Sequence, residues 1–187
     1  MSEADSPYVT TPIEPADAQA GFSCGKRPLD DYFARHAAAN DAAGIGRAYV
    51  LRRGEGDDPS LPVVLGFYTL SMATAVSAQV SEVLKTKLPK YPMPVALIAR
   101  LAIDSRAQGR HLGEKLLMDA LRRVIDAANI LGCTGIIVDA KDGSAEQFYL
   151  KYDFVTVTEE AWPRRMFLPI RTASMAFEES DHDSPSR

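Results

Sequence analysis

Cysteine is scarce. The chain of 187 residues has two, Cys24 and Cys133, too far apart for any metal-ligating or redox spacing. Both read as buried or idle thiols. His36 reads as a helix-surface residue and His182 as part of a polar tail, so no metal centre is expected. No apolar run is long enough to span a membrane. Internal repeats are missing too. The first residues, MSEADSPYVTTPIEP, are acidic and polar, unlike a signal peptide, which leads us to expect a cytoplasmic protein with no membrane partner.

The remaining composition is that of a globular protein, 46% hydrophobic and 25% charged, and the length suits a single domain. The net charge of −4 conceals an uneven distribution. Residues 21–172 hold 20 basic and 17 acidic residues, a balance of +3, while four acids lie in residues 1–20 and four in 173–187. A mildly basic body permits a polyanionic partner without requiring one. We expect one domain over 1–172 and a polar, disordered tail over 173–187.

Periodicity and punctuation set the elements. KRPLDDYFARHAAANDAA predicts one helix with Pro28 in its first turn and Leu29, Phe33 and Ala37 on one face. RAYVLRR and VVLGFYTLSM, joined by GEGDDPSLP, predict an antiparallel hairpin. SAQVSEVLKTKL predicts a short helix stopped by Pro89. Val95–Ile103 is apolar except for Arg100 and suits a central strand. Helical spacing runs from Leu112 to Ala128, GIIVDA (Gly135–Ala140) is a second buried strand, and GSAEQFYLKY is a helix capped by Asp142 or Ser144. FVTVT and RMFLPI close the body as strands. The strand–helix–strand unit implies a parallel pair.

The stretch between the first of these strands and its helix, DSRAQGRHLGEKLL, bears two glycines and two arginines. N–H groups at a helix start lack intrahelical partners and carry partial positive charge. Preceded by a loop that lets the main chain come close, they form a cradle for a phosphate. Gln108, Gly109, Arg110, His111, Leu112 and Gly113 fit that pattern, and Arg106 and Arg110 can add charge. A plain glycine-bearing connection would look the same.

With its flanking pieces the stretch is more specific. RLAID before the loop and IIVDAKDGSAEQFYLKYDF after the helix resemble the GNAT acetyltransferase superfamily, whose Q/R-x-x-G-x-G/A loop binds the pyrophosphate of acetyl-CoA. Gln108, His111 and Gly113 match the motif, with His111 where the family has glycine and Gly109 positioned to compensate. Asp153 likewise replaces a glycine, and Asp tolerates left-handed turns. FSCGKRPLDDYF, GFYTLSM, LPKYPMPVALIARLAID and VDAKDGSAEQFYLKYDF, in order over residues 20–170, resemble more closely the acetyltransferase toxins of bacterial toxin–antitoxin modules, which acetylate aminoacyl-tRNA.

The resemblance implies an α/β GNAT fold: a mixed, twisted sheet with helices on both faces and splayed central parallel strands that hold acetyl-CoA. It implies that main-chain groups of Leu101, Ala102 and Ile103 face the pantetheine arm, and that Tyr149 protonates the leaving thiolate. On residue type alone, core packing beside Phe148 and Phe154 is the favoured reading of Tyr149; the motif match reverses that preference. A homodimer and a DNA-binding antitoxin partner are further implications.

The strand carrying Arg100 has no carboxylate in its middle. A lysine acceptor, with pKa about 10.4, needs more help losing its proton than an α-amine near 7.7–8.0. The missing base therefore favours an α-amine, as on aminoacyl-tRNA. Arg100 suits a phosphate or the polar end of a substrate, or else an ion pair. Tyr68, Tyr91 and Trp162 are candidates for the acceptor cleft or for packing. Lys85, Lys87 and Lys90, with Arg47, Arg52 and Arg53, form a candidate tRNA surface or an ordinary solvated face. Acetylation of a protein or small amine, and an acetyl-CoA-binding sensor with little turnover, are the rival readings.

Overall fold

The computed structural model describes residues 9–158 and 161–182. Its elements are β1 (Thr10–Pro12), α1 (Arg27–Arg35), α2 (Ala37–Ala42), β2 (Arg47–Arg52), β3 (Val64–Ala75), α3 (Ser77–Leu84), β4 (Met93–Ile103), α4 (Leu112–Ala128), β5 (Gly135–Ala140), α5 (Gly143–Leu150), β6 (Val155–Thr156), β7 (Arg164–Pro169) and α6 (Ile170–His182). Short 3-10 turns lie at Pro15–Gln19 and Ser105–Ala107. The strands form a seven-stranded sheet in the order β1-β2-β3-β4-β5-β7-β6. This is the mixed α/β architecture expected, with β4 and β5 as its parallel pair.

The chain divides into two compact units. One holds the chain up to Ser71 together with Arg100–Ala120, the other Met72–Ala99 together with the chain from Leu121 onward. In the first unit β2 lies antiparallel to β1 and to β3, so the expected hairpin forms. Its core gathers Phe22, Phe33, Ala37, Val50, Phe67 and Ala102, with Leu29 packed against it. The predicted helix face therefore holds, although the helix is broken at His36, whose backbone (φ −125°, ψ −29°) leaves the helical region. Gly66 on β3 is forced by close approach: a Cβ there would lie 2.8 Å from the carbonyl oxygen of Ala102 and 2.6 Å from Ile103 Cδ1.

In the second unit β5 pairs with β4 at Ala96–Ile98 and with β7 along its whole length. The parallel register covers three pairs, 96–98 with 136–138, while β4 runs on to Ile103. Val80, Val95, Ile137 and Phe167 centre this core. Helix α3 ends at Leu84, five residues before Pro89, because Lys85 takes a left-handed conformation (φ 52°) and turns the chain.

The expectation of a disordered tail from 173 is corrected. Residues through His182 are helical, as α6. Ala173 is buried, and the Arg122 guanidinium lies 4.7 Å from the centroid of the Phe177 ring, which supplies the apolar and cation–π contacts a polar tail would lack. Residues 183–187 lie outside the described part. Among the described residues no helix is long and apolar enough to cross a membrane, and no group of three or more His, Cys, Asp or Glu could hold a metal ion.

Candidate active site

Strand β4 delivers the chain into the loop. Its side chains alternate: Ala102 enters the core beneath α1, while Leu101 and Ile103 stay half-buried. On the same side as Ala102, the Arg100 guanidinium stacks on the Tyr32 ring, 3.5 Å from its centroid, a cation–π contact.

At the strand's end the next residue, Asp104, has no solvent exposure. Its carboxylate accepts from the Ser23 and Arg106 backbone N–H groups, both at 3.0 Å, and from Arg106 Nε and Nη2, both at 2.9 Å. Burial alone would raise its pKa. The Arg106 side chain and these N–H groups outweigh burial and hold the carboxyl below its usual range. Arg106 Nη2 also donates to the Gly21 carbonyl. The charge expected of Arg106 toward a ligand is therefore already committed to Asp104.

The segment 21–26 forms a strap under the loop. Ser105 N–H donates to the Ser23 carbonyl (2.8 Å), and Gln108 Nε2 donates to the carbonyls of Ile103 (3.2 Å) and Cys24 (3.4 Å). Asp30 of α1 fastens the other side, accepting from Cys24 N–H and the Ser23 hydroxyl. Burial, followed by the Asp30 hydrogen bond, pushes the Cys24 thiol up to about 11, which leaves it a poor nucleophile.

Beyond the strap, Gln108, Gly109, Arg110 and His111 are exposed and Leu112 is buried, anchoring the start of α4. Gly109 (φ 78°) and His111 (φ 57°) are both left-handed. The sequence leads us to expect Gly109 to compensate for the missing glycine at 111; instead His111 itself adopts the left-handed conformation. Histidine bears the steric cost of that conformation. Lys115 N–H bonds to the His111 carbonyl, so His111 caps α4 and the N–H groups of Leu112, Gly113 and Glu114 lack intrahelical acceptors. N–H groups of this kind at a helix start can receive an anion, and Arg110 is exposed beside them.

The second unit carries the tyrosine. Asp142, not Ser144, caps α5, accepting from Ala145 N–H at 2.9 Å. Tyr149 is 9% exposed, its ring 5.2 Å from Phe148 and 5.4 Å from Phe154. Tyr149 packs in the core, and burial pushes its phenol up to about 12, so it keeps its proton at neutral pH. Asp153 (φ 63°) supplies the left-handed turn after the helix, as anticipated.

Other candidates move. Tyr68 is fully buried, stacked on Tyr49 at 5.3 Å with its hydroxyl bonded to Asp119, so it is a core residue and not part of a cleft. It follows from β3 being buried on both faces over 64–69. The arginine cluster is committed internally: Arg47 to Asp41, Arg52 to Asp17, and Arg53 to the Pro59 and Leu61 carbonyls. Tyr91 is 60% exposed. Trp162 is half-exposed beneath Arg164, whose guanidinium binds the buried Glu146 at 2.9 Å. Sequence reasoning missed Asp104 and Glu146. A clue existed for Asp104, since an Asp directly after an apolar strand and before a Ser-Arg turn is a cap signature.

Residues 93–165 match the family model for the acetyltransferase (GNAT) domain. A tRNA-acetylating toxin of Mycobacterium tuberculosis is 38% identical over 142 residues, covering 76% of this chain and 81% of its own. Two solved structures are similar in fold. AtaT complexed with acetyl-methionyl-tRNAfMet has a TM-score of 0.76 and 28% identity, with 90% of this chain and 98% of that one covered. A mutant AtaT toxin bound to the C-terminus of the antitoxin AtaR and acetyl-CoA has a TM-score of 0.72 and 25% identity, with coverage of 90% and 97%.

Proposed function

This chain belongs to the GNAT acetyltransferases, and from that membership we propose that it transfers acetyl from acetyl-CoA to the α-amine of an aminoacyl-tRNA and thereby blocks translation. The observation that carries the reading is its 38% identity to a tRNA-acetylating toxin over 76% of the chain. The left-handed loop leading into α4 supports it physically.

Acetyl-CoA supplies the activated acyl group and a thiolate leaving group. N–H groups of Gly109 to Gly113 would receive its pyrophosphate, and main-chain groups of Leu101, Ala102 and Ile103 its pantetheine arm and thioester oxygen. One such oxyanion contact is worth about 3 kcal/mol in acyl transfer. Tyr149 holds a proton at its phenolic oxygen for the departing sulfur. The amine nitrogen bonds to the acyl carbon as the carbon–sulfur bond breaks, the sulfur takes the Tyr149 proton, and the nitrogen's surplus proton passes to solvent, from which the phenolate is reprotonated. Arg100 is read as a contact to the polar end of the acceptor. An α-amine near pKa 7.7–8.0 is partly neutral without a dedicated base, which suits a strand that offers none.

The AtaT–AtaR complex supports an antitoxin partner of the same kind for this chain. We read the protein as a cytoplasmic homodimer, since charged tRNA is a cytoplasmic substrate and the resemblance to the acetyltransferase toxins implies the pairing. The test is transfer of labelled acetyl to bulk charged tRNA, with uncharged tRNA and a lysine-rich peptide in parallel. Label confined to charged tRNA is the expected result. Label on the peptide, or on no acceptor despite acetyl-CoA binding, would reject the reading in favour of a protein or small-amine acetyltransferase or a sensor.

A further inference from the structure

The chain between α3 and β4 is a part of the second unit that the proposed chemistry does not use. The left-handed Lys85 turns it back along α3. Two hydrogen bonds pin the return: Leu88 N–H donates to Ser81 Oγ (3.3 Å), and the Ser77 hydroxyl donates to the Pro89 carbonyl (2.5 Å). Helix and returning chain line a groove of about 600 Å³, within the roughly 300–1,000 Å³ of small-ligand sites.

Its lining combines apolar Ala75, Val76 and Leu88 with Lys87 and Lys90, and includes no acidic residue. Among the described residues neither lysine has an ion pair. Tyr91 lines the groove with its ring 60% exposed. A large exposed ring is costly to leave in water, and here it stands beside two uncompensated cations. That combination matches a nucleotide: an aromatic face stacks on a base and ammonium groups meet phosphates. A second groove of this unit, between α3 and β6, lacks both features, since Glu82 accompanies Lys85 there and no aromatic residue lines it.

We propose that the α3 groove binds the unpaired 3′ end of the charged tRNA, with Tyr91 stacked on a base and Lys87 and Lys90 on its phosphates. The assignment of the ligand as tRNA rests on the acceptor proposed above; the recognition of a single-stranded segment rests on the groove itself.

The experiment is fluorescence anisotropy of a labelled single-stranded oligonucleotide ending in CCA, titrated with the full chain. Wild type is compared with Tyr91→Ala, Tyr91→Phe and Lys87→Ala/Lys90→Ala, each checked for native circular dichroism. Tyr91→Ala should weaken binding by about tenfold or more while Tyr91→Phe keeps it, because the ring and not the hydroxyl does the stacking. The double lysine variant should flatten the log–log salt slope by about 1.4, or 0.7 per phosphate. In transfer assays KM for charged tRNA should rise in parallel while KM for acetyl-CoA holds. Failure of wild type to bind, or binding indifferent to Tyr91→Ala, overturns the groove even if charged tRNA is acetylated, and leaves the groove to a peptide or another copy. Binding lost in Tyr91→Ala, with no acetylation of charged tRNA by wild type, upholds the groove and overturns the acceptor.

Discussion

Asp104 in the first unit and Tyr149 in the second are both nearly sealed from water, at 0% and 9% exposure, yet burial leaves them in opposite states. Around Asp104 the fold supplies the Arg106 fork and two backbone N–H groups, so the carboxylate stays charged and organises the strap and loop. Around Tyr149 it supplies Phe148 and Phe154, and the phenol stays neutral. Desolvation thus makes a fixed charge where donors converge and a retained proton where they do not. The first holds a loop in shape; the second keeps a proton in place at neutral pH.

The comparison can be broken at its chemical end first. Tyr149→Phe should lower kcat by about 10²- to 10⁴-fold, the usual worth of a positioned acid, with acetyl-CoA affinity by calorimetry unchanged. Because the wild-type phenol is raised to about 12, the pH–rate profile should rise as the acceptor amine deprotonates and show no fall from Tyr149 ionisation below about pH 11. A descending limb near pH 10 that vanishes in the variant would contradict the buried, neutral phenol.

Asp104→Ala is next. Leaving the Arg106 fork and the Ser23 N–H without their acceptor should cost about 3 kcal/mol of stability and raise KM for acetyl-CoA more than it lowers kcat. The sign with pH follows from the depressed pKa: the stabilisation is full above the unfolded value near 3.9 and is lost as pH falls through the lower folded one. The gap between wild type and variant in chemical denaturation should therefore close in acid. A constant gap would mean that Asp104 acts through shape alone.

The smallest effect belongs to His111→Gly. Relief of a left-handed non-glycine residue, offset by greater unfolded-state freedom, should leave the protein about 0.5–1 kcal/mol more stable, with acetyl-CoA bound at least as tightly. A weaker acetyl-CoA complex would show that the imidazole itself contacts the ligand.

Periodicity made the heart of the fold legible. β4, α4, β5 and α5 fall where their apolar spacing and caps place them, and the motif residues identify the loop between them. What stayed illegible depends on partners distant in sequence. Tyr68 looks like a cleft aromatic until β3 is seen to be buried on both faces. The helicity of 173–182 depends on packing such as that of Arg122 on Phe177. The arginines look like a basic face until Asp17 and Asp41 are folded against them. Asp104 is an ordinary aspartate in sequence, and only the strap reveals its burial.

That strap has a consequence for the order in which the protein comes into being. Ser23 N–H finds its acceptor on Asp104, 81 positions later, and the core around Phe22, Phe33 and Phe67 is completed by Ala102. At a synthesis rate of about 5–20 residues per second, the aromatic cluster stays open for roughly 2–7 s between the synthesis of Phe67 and that of Ala102. The loop before α4 is shaped by the arrival of that same segment, so a nascent chain lacks it until the middle third has left the ribosome.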